Sequence, residues 1–272
     1  MRRAGLARDA LVLVALTAYA APFFWQLLTS IKPEADQLRL PPLLPARLTL
    51  AHYRVVLEQS LMPQALGNSL GVAAATTLLA LGAGLPAAYA IARLPVPGRR
   101  ALLLALVAST AFPQIATVSP LYLLLRALRL RDTWTGLVLA HASFALPLTV
   151  WLLAGFIHEI PRALEESAAV DGASRAQALR SVLLPLLAPG LASAGLLAFL
   201  SSWNEFLFAY TFTASEASRT VPVALALFPG VFEVPWGDIA AASMLASLPP
   251  LLIVVALQRA LVRGLLAGAV KE

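Results

Sequence analysis

The 272-residue chain contains no cysteine, which excludes a disulfide framework, a thiolate nucleophile and a cysteine-bound metal. Charge is scarce. Only 12% of residues are Asp, Glu, Lys or Arg, against about 25% in an ordinary soluble domain. The three histidines, His52, His141 and His158, lack the spacing of a metal-ligand set. The phosphate cradle G-x-x-x-x-G-K-[ST] is missing, so any ATP hydrolysis belongs to another subunit. Gly82-Ala83-Gly84, inside an apolar run, suits close helix packing instead. Clustered nucleophiles and carboxylates, as a membrane enzyme needs, do not occur, and the centres of the apolar runs hold no acid of the kind that couples a secondary carrier to an ion.

What remains is apolar. The chain is 60% hydrophobic, with a mean hydropathy of +0.80 and a net charge of +6. Its basic residues scatter at the ends of apolar runs, which points to membrane orientation and away from nucleic acid. Runs at about 10–31, 69–92, 101–125, 135–157, 182–209 and 239–258 are each long enough, at ~1.5 Å per residue, to cross ~30 Å of hydrocarbon. They are continuous and not alternating, so the expected fold is an all-α membrane protein of six transmembrane helices. Prolines inside the runs, Pro86, Pro113, Pro147 and Pro189 among them, predict kinks. The first run follows Arg2, Arg3 and Arg8 and resembles a signal peptide as far as Ala20. It continues to Ile31, beyond the ~7–15 residues of such a segment, and is expected to stay as an anchor.

Basic residues set the orientation. An inside N-terminus places Arg2, Arg3, Arg8, Arg93, Arg99, Arg100, Arg162, Arg175, Arg180, Arg259, Arg263 and Lys271 in the cytoplasm, more basic residues than the outside receives. Both termini and residues 159–181 then face the cytoplasm. Arg126, Arg129 and Arg131, in a short outer connection, run against the rule locally.

Residues 159–190, EIPRALEESAAVDGASRAQALRSVLLPLLAPG, concentrate charge between two apolar runs. Pro161 suits the first turn of a helix, and Glu165 and Glu166 sit near its positive end. Leu164 and Ala168 form a small apolar stripe. Asp171-Gly172 is a stop, glycine taking the left-handed conformation. Ser174 and Gln177 fit a capping box for a second helix that runs on into the membrane. The stripe lacks the large residues with which a helix lies on lipid, so a short helix that docks on a protein is expected.

At these residues the chain resembles the EAA loop of permease subunits of binding-protein-dependent ABC importers. Glu166, Ser167 and Ala168 stand at the E-A-A positions and Gly172 at the motif's glycine, with Ser167 replacing an alanine. TSIKPEADQ (29–37), NSLGVAAATTLLALGAGLPAAYAIARL (68–94), PLYLLLRALRLRDTWTGLVL (120–139), WNEFLFAYTFT (203–213) and LQRALVRGLLAGAVKE (257–272) are similar to the shorter permease of maltose- and glycerol-phosphate-type systems. The resemblance implies a type I importer bundle: residues 1–66 as an N-terminal anchor and outer loop, 67–262 as the permease core and 263–272 as a cytoplasmic tail. It implies a bacterial or archaeal plasma membrane and a chain without a cofactor of its own, ATP and Mg residing on the ATPase. A second homologous permease, two ATPase subunits, a periplasmic or lipid-anchored substrate-binding protein and a sugar are the implied partners. Glu165, Glu166, Ser167, Ala168, Ala169, Asp171, Gly172 and Arg175 would form the docked coupling helix, with Gly268, Ala269, Val270 and Lys271 near the ATPase. Disaccharide, oligosaccharide, polyol and glycerol phosphate all remain open as cargo.

Two polar sites lie toward the outer side. Asn204 and Glu205, beside Trp203 near the end of the fifth run, either line the translocation path or anchor the interface. His141 is the one histidine within a run, and a satisfied packing contact is expected of it. The loop at about 211–238, with Glu216, Arg219, Phe232, Trp236 and Asp238, has the mixed character of a surface that meets a soluble binding protein.

Overall fold

The computed structural model describes residues 2–37, 47–228 and 234–269, with side chains described between 8 and 258. Its long helices are α1 (Arg2–Ser30), α3 (Met62–Arg93), α6 (Trp134–Glu159), α9 (Leu184–Trp203) and α12 (Trp236–Ala269). Shorter ones lie between: α2 (Ala51–Gln59), α4 (Arg99–Thr110), α5 (Gln114–Ala127), α7 (Arg162–Val170), α8 (Arg175–Ala178), α10 (Leu207–Phe212) and α11 (Val221–Ala226). Five helical stretches are long and apolar enough to span a membrane, and α4 with α5 makes a sixth if a bent pair counts as one. The expected all-α membrane fold is the observed one.

The third span departs from expectation. Instead of one helix over 101–125, α4 and α5 meet at 93° across Ala111, Phe112 and Pro113. Pro113 supplies no N–H to the preceding turn and pushes Phe112 away from helical dihedrals. The fifth span also differs, stopping at Trp203 and resuming at Leu207. At its other end it reaches back to α8 through a wide π turn, Leu179–Leu183, just ahead of Pro185.

The chain divides into two compact units. The first comprises Met1–Gln64 with Ala224–Leu248. Its α1 leaves Leu13, Leu16, Tyr19 and Phe23 exposed, as a lipid-facing helix does. Its polar centre is His52, whose Nδ1 lies 2.6 Å from Asp238 Oδ1 and whose Nε2 lies 2.9 Å from the Lys32 carbonyl. Gln37 accepts the Gly237 N–H at 3.1 Å in the same cluster.

The second unit comprises Ala65–Val223 with Pro249–Glu272. Small residues let its helices approach, which in lipid is the main route to tight packing. Ala80, Ala145 and Ala198 meet where α3, α6 and α9 cross. A Cβ on Gly190 would come within 2.7 Å of the Phe156 ring, and one on Gly84 within 2.9 Å of Thr149. Gly84 is therefore a packing glycine, whereas Gly82 faces open space. Larger side chains fill both ends, Ile91, Leu153, Ile157 and Leu187 toward α7 and Leu125, Leu137, Phe208 and Phe212 toward α10.

Candidate functional site

The segment between α6 and α9 folds as a short helix with a defined start and stop. Pro161 is the N-cap of α7, ahead of Arg162. At the other end the Ala173 N–H reaches the Ala168 carbonyl at 2.9 Å and the Gly172 N–H the Ala169 carbonyl at 3.1 Å. That pair of bonds, with Gly172 at φ +83°, is a Schellman stop, and the left-handed dihedral selects glycine. Ser174 and Gln177 then form both halves of the expected capping box, so α8 begins at Arg175, with only residues 171–174 between it and α7.

Glu165 does not face solvent. Arg93 at the end of α3 donates its Nε to Glu165 Oε1 at 2.5 Å, and Tyr89 donates its hydroxyl to Oε2 at 3.2 Å. Arg93 also donates to the Ile160 carbonyl at 2.7 Å, and Arg162 returns a bond to the Ala92 carbonyl at 3.3 Å. Both members of the Arg93–Glu165 pair are largely buried, where charge-assisted bonds hold geometry strongly. Glu165 is thus the tie that fixes α7 to α3. Glu166, Ser167, Ala169, Asp171, Gly172 and Arg175 are exposed, Ala168 is half-buried, and Val170 is 87% exposed.

At the other end of α6 and α9, the chain turns at Asn204, Glu205 and Phe206. The buried Glu205 carboxylate accepts the Phe208 N–H at 2.8 Å and the Ala209 N–H at 3.0 Å, capping α10. His141 on α6 shares a 2.7 Å hydrogen bond between Nδ1 and the Ser202 hydroxyl. Its Nε2 lies 3.2 Å from Glu205 Oε2, but off the line of a hydrogen bond, which leaves that nitrogen without a hydrogen-bonding partner. The contact is electrostatic and at its strongest when the ring is protonated. Asn204 is exposed and donates to the Leu200 carbonyl of its own helix at 2.8 Å.

Of the residues expected at the α7 surface, the structure brings seven together on an exposed element and turns Glu165 inward. Gly268 and Ala269 close α12, with only their backbone described, and Val270, Lys271 and Phe232 lie outside the described residues. The roles of Arg93, Tyr89 and His141 were not legible, because each partner lies more than 60 residues away in sequence. Among the described residues no cluster of His, Cys, Asp or Glu could hold a metal ion.

A profile of the family described as "Binding-protein-dependent transport system inner membrane component" matches residues 80–267. The chain is 43% identical over 252 residues to the trehalose transport system permease protein SugB of Mycobacterium tuberculosis (strain CDC 1551 / Oshkosh), covering 92% of each. It is 37% identical to the trehalose/maltose transport system permease protein MalG of Thermococcus litoralis, covering 92% of this chain and 91% of that one. Its fold matches a chain in the crystal structure of a bacterial ABC transporter involved in the import of the acidic polysaccharide alginate. There the TM-score is 0.81 at 22% identity, over 95% of this chain and 96% of that one.

Proposed function

Because the chain belongs to the family of inner-membrane components of binding-protein-dependent transport systems, we propose that it forms half of a carbohydrate path opened alternately to either side of the membrane. It is a permease subunit and not an enzyme, and hydrolysis takes place on a separate ATPase. Both termini and α7 face the cytoplasm in this reading, and the turn at residues 204–206 lies toward the outside. A homologous second permease completes the path, two ATPase subunits receive the α7 surfaces, and a substrate-binding protein delivers a glycoside from outside. The sugar names carried by the relatives support the cargo class.

The observation that carries the reading is α7 itself. It is stopped at Gly172, tied to α3 through Glu165, joined to the next span by only the four residues 171–174, and exposed over most of its remaining surface. A helix held so firmly at its base moves as one body with α6 and α9, so a push on it reaches the far ends of both. Affinity purification of the tagged chain from its native membrane tests this. An ATPase is expected to co-purify, and a Glu166→Lys or Val170→Asp variant is expected to lose most of it while the permease still inserts. Recovery of the intact permease without any ATPase contradicts the reading.

A further inference from the structure

The break between α4 and α5 lies at depth. Ser109 and Phe112 line the same cavity as Ser143 and Phe144 of α6. Ser143 is nine residues from the start of α6 at Trp134 and sixteen from its end at Glu159, about 14 Å and about 24 Å at 1.5 Å per residue. Non-helical backbone at that depth does not face lipid; it is covered by protein or lines a wet cavity. Residues 110–114 are all exposed, and Pro113, the N-cap of α5, makes no side-chain bond to the first N–H groups of that helix. The Ala116 N–H turns back to the Pro113 carbonyl at 3.1 Å, and the donors ahead of it need water or a ligand.

The open cavity beside the break has a volume of about 510 Å³, within the range of small-ligand sites. Two aromatic rings, Phe112 and Phe144, and three hydroxyls, Ser109, Thr117 and Ser143, are among its lining. Each hydroxyl spends its proton on its own helix, at 2.7 Å to Leu106, 2.7 Å to Gln114 and 2.6 Å to Ala140. What they present to the cavity is lone pairs, which accept from hydroxyl donors. Rings for the apolar face of a pyranose and acceptors for its hydroxyls are a carbohydrate's requirements, while the lining holds no charge that an ion would need.

Resting on the carbohydrate reading above, we infer that this cavity is a wet subsite of the translocation path, in which a passing glycosyl unit contacts this subunit directly through Ser109, Phe112, Thr117, Ser143 and Phe144. The absence of native cysteine makes the test direct. Uptake of trehalose, maltose and maltotriose is measured first, and whichever depends on this chain becomes the probe. Ser109→Cys and Ser143→Cys are then treated, in the reconstituted full transporter, with a membrane-impermeant thiosulfonate. Leu13→Cys on the exposed face of α1 is the lipid control, and Thr117→Cys is a third cavity position should either of the others fail to insert. The cavity thiols are expected to react at least tenfold faster than the control and to be slowed about fivefold during turnover with the probe. Reaction no faster than the control shows a dry surface and overturns the inference. Fast reaction that the probe leaves unchanged shows a wet cavity without a sugar subsite and overturns it as well. If none of the three sugars is taken up, a wider panel of di- and oligosaccharides supplies the probe, and if no member of that panel is taken up the carbohydrate reading itself falls, and the subsite with it.

Discussion

Asp132 occupies a left-handed backbone position, φ 59°, and accepts the Ala214 N–H at 2.8 Å, the Ser215 N–H at 3.1 Å and the Ser218 hydroxyl. Burial alone would raise its carboxyl, but these hydrogen bonds outweigh it and hold the group well below the usual carboxylate range. A lowered folded-state value contributes stability above the unfolded value of ~3.9 and loses it as pH falls toward the folded one. Asp132→Asn is therefore expected to lower the melting temperature of the purified protein near neutral pH, by the equivalent of about 1–2 kcal/mol. The gap to the native chain should narrow progressively below about pH 4. A gap independent of pH would contradict the role of the charge. Glu165 and Glu205 also spend their carboxylates on holding helices, one on Arg93 and Tyr89, the other on N–H groups in the first turn of α10. The sequence shows that these acids are unusual in so apolar a chain, but not which way they turn. That depends on partners brought close only by the packing of α3, α6 and α9.

Among the elements, α7 was the most legible, because its signals are local. A proline entry, a glycine stop and a capping box are all settled within a few residues, and the structure shows each in place. Gly172 has open space around its Cα, so a substitution there meets no clash and is penalised through its dihedral alone, by roughly 1–2 kcal/mol for an ordinary side chain. Gly172→Val is expected to leave insertion and assembly nearly intact, yet to lower uptake at least tenfold by loosening the join between α7 and α8. Normal uptake by a well-expressed variant would sink the lever. The broken third span was less legible. Pro113 and Pro120 look alike in the sequence, as prolines inside an apolar run. One ends a helix at a 93° bend while the other sits inside α5. A proline marks where a helix can bend, and tertiary contacts decide whether it does. The stop at Trp203 follows the same rule, since it needs Glu205 buried and turned onto α10.

For the molecule as a whole, composition and hydropathy were enough to set the class, because every apolar span must satisfy its backbone internally and only helices of this length do so. Pairing of residues 224–248 with the N-terminal 64 residues in one compact unit left no trace in the sequence, as no local pattern encodes it. The α6–α9 pair is pinned at one end by His141 with Ser202 and Glu205, and at the other end α7, which leads from one to the next, is tied to α3 through Arg93–Glu165. Transport in this account is a rigid-body movement of that pair, driven from α7 and felt at the turn after Trp203. Its central claim is that ATP turnover and sugar delivery are coupled through this chain. The most direct measurement is ATPase activity of the complete transporter in lipid nanodiscs, with its binding protein supplied empty or loaded with each of several sugars. The account predicts stimulation of at least severalfold by the binding protein carrying its cognate sugar, abolished by Gly172→Val. Stimulation that survives that substitution, or hydrolysis indifferent to the loaded binding protein, would contradict it.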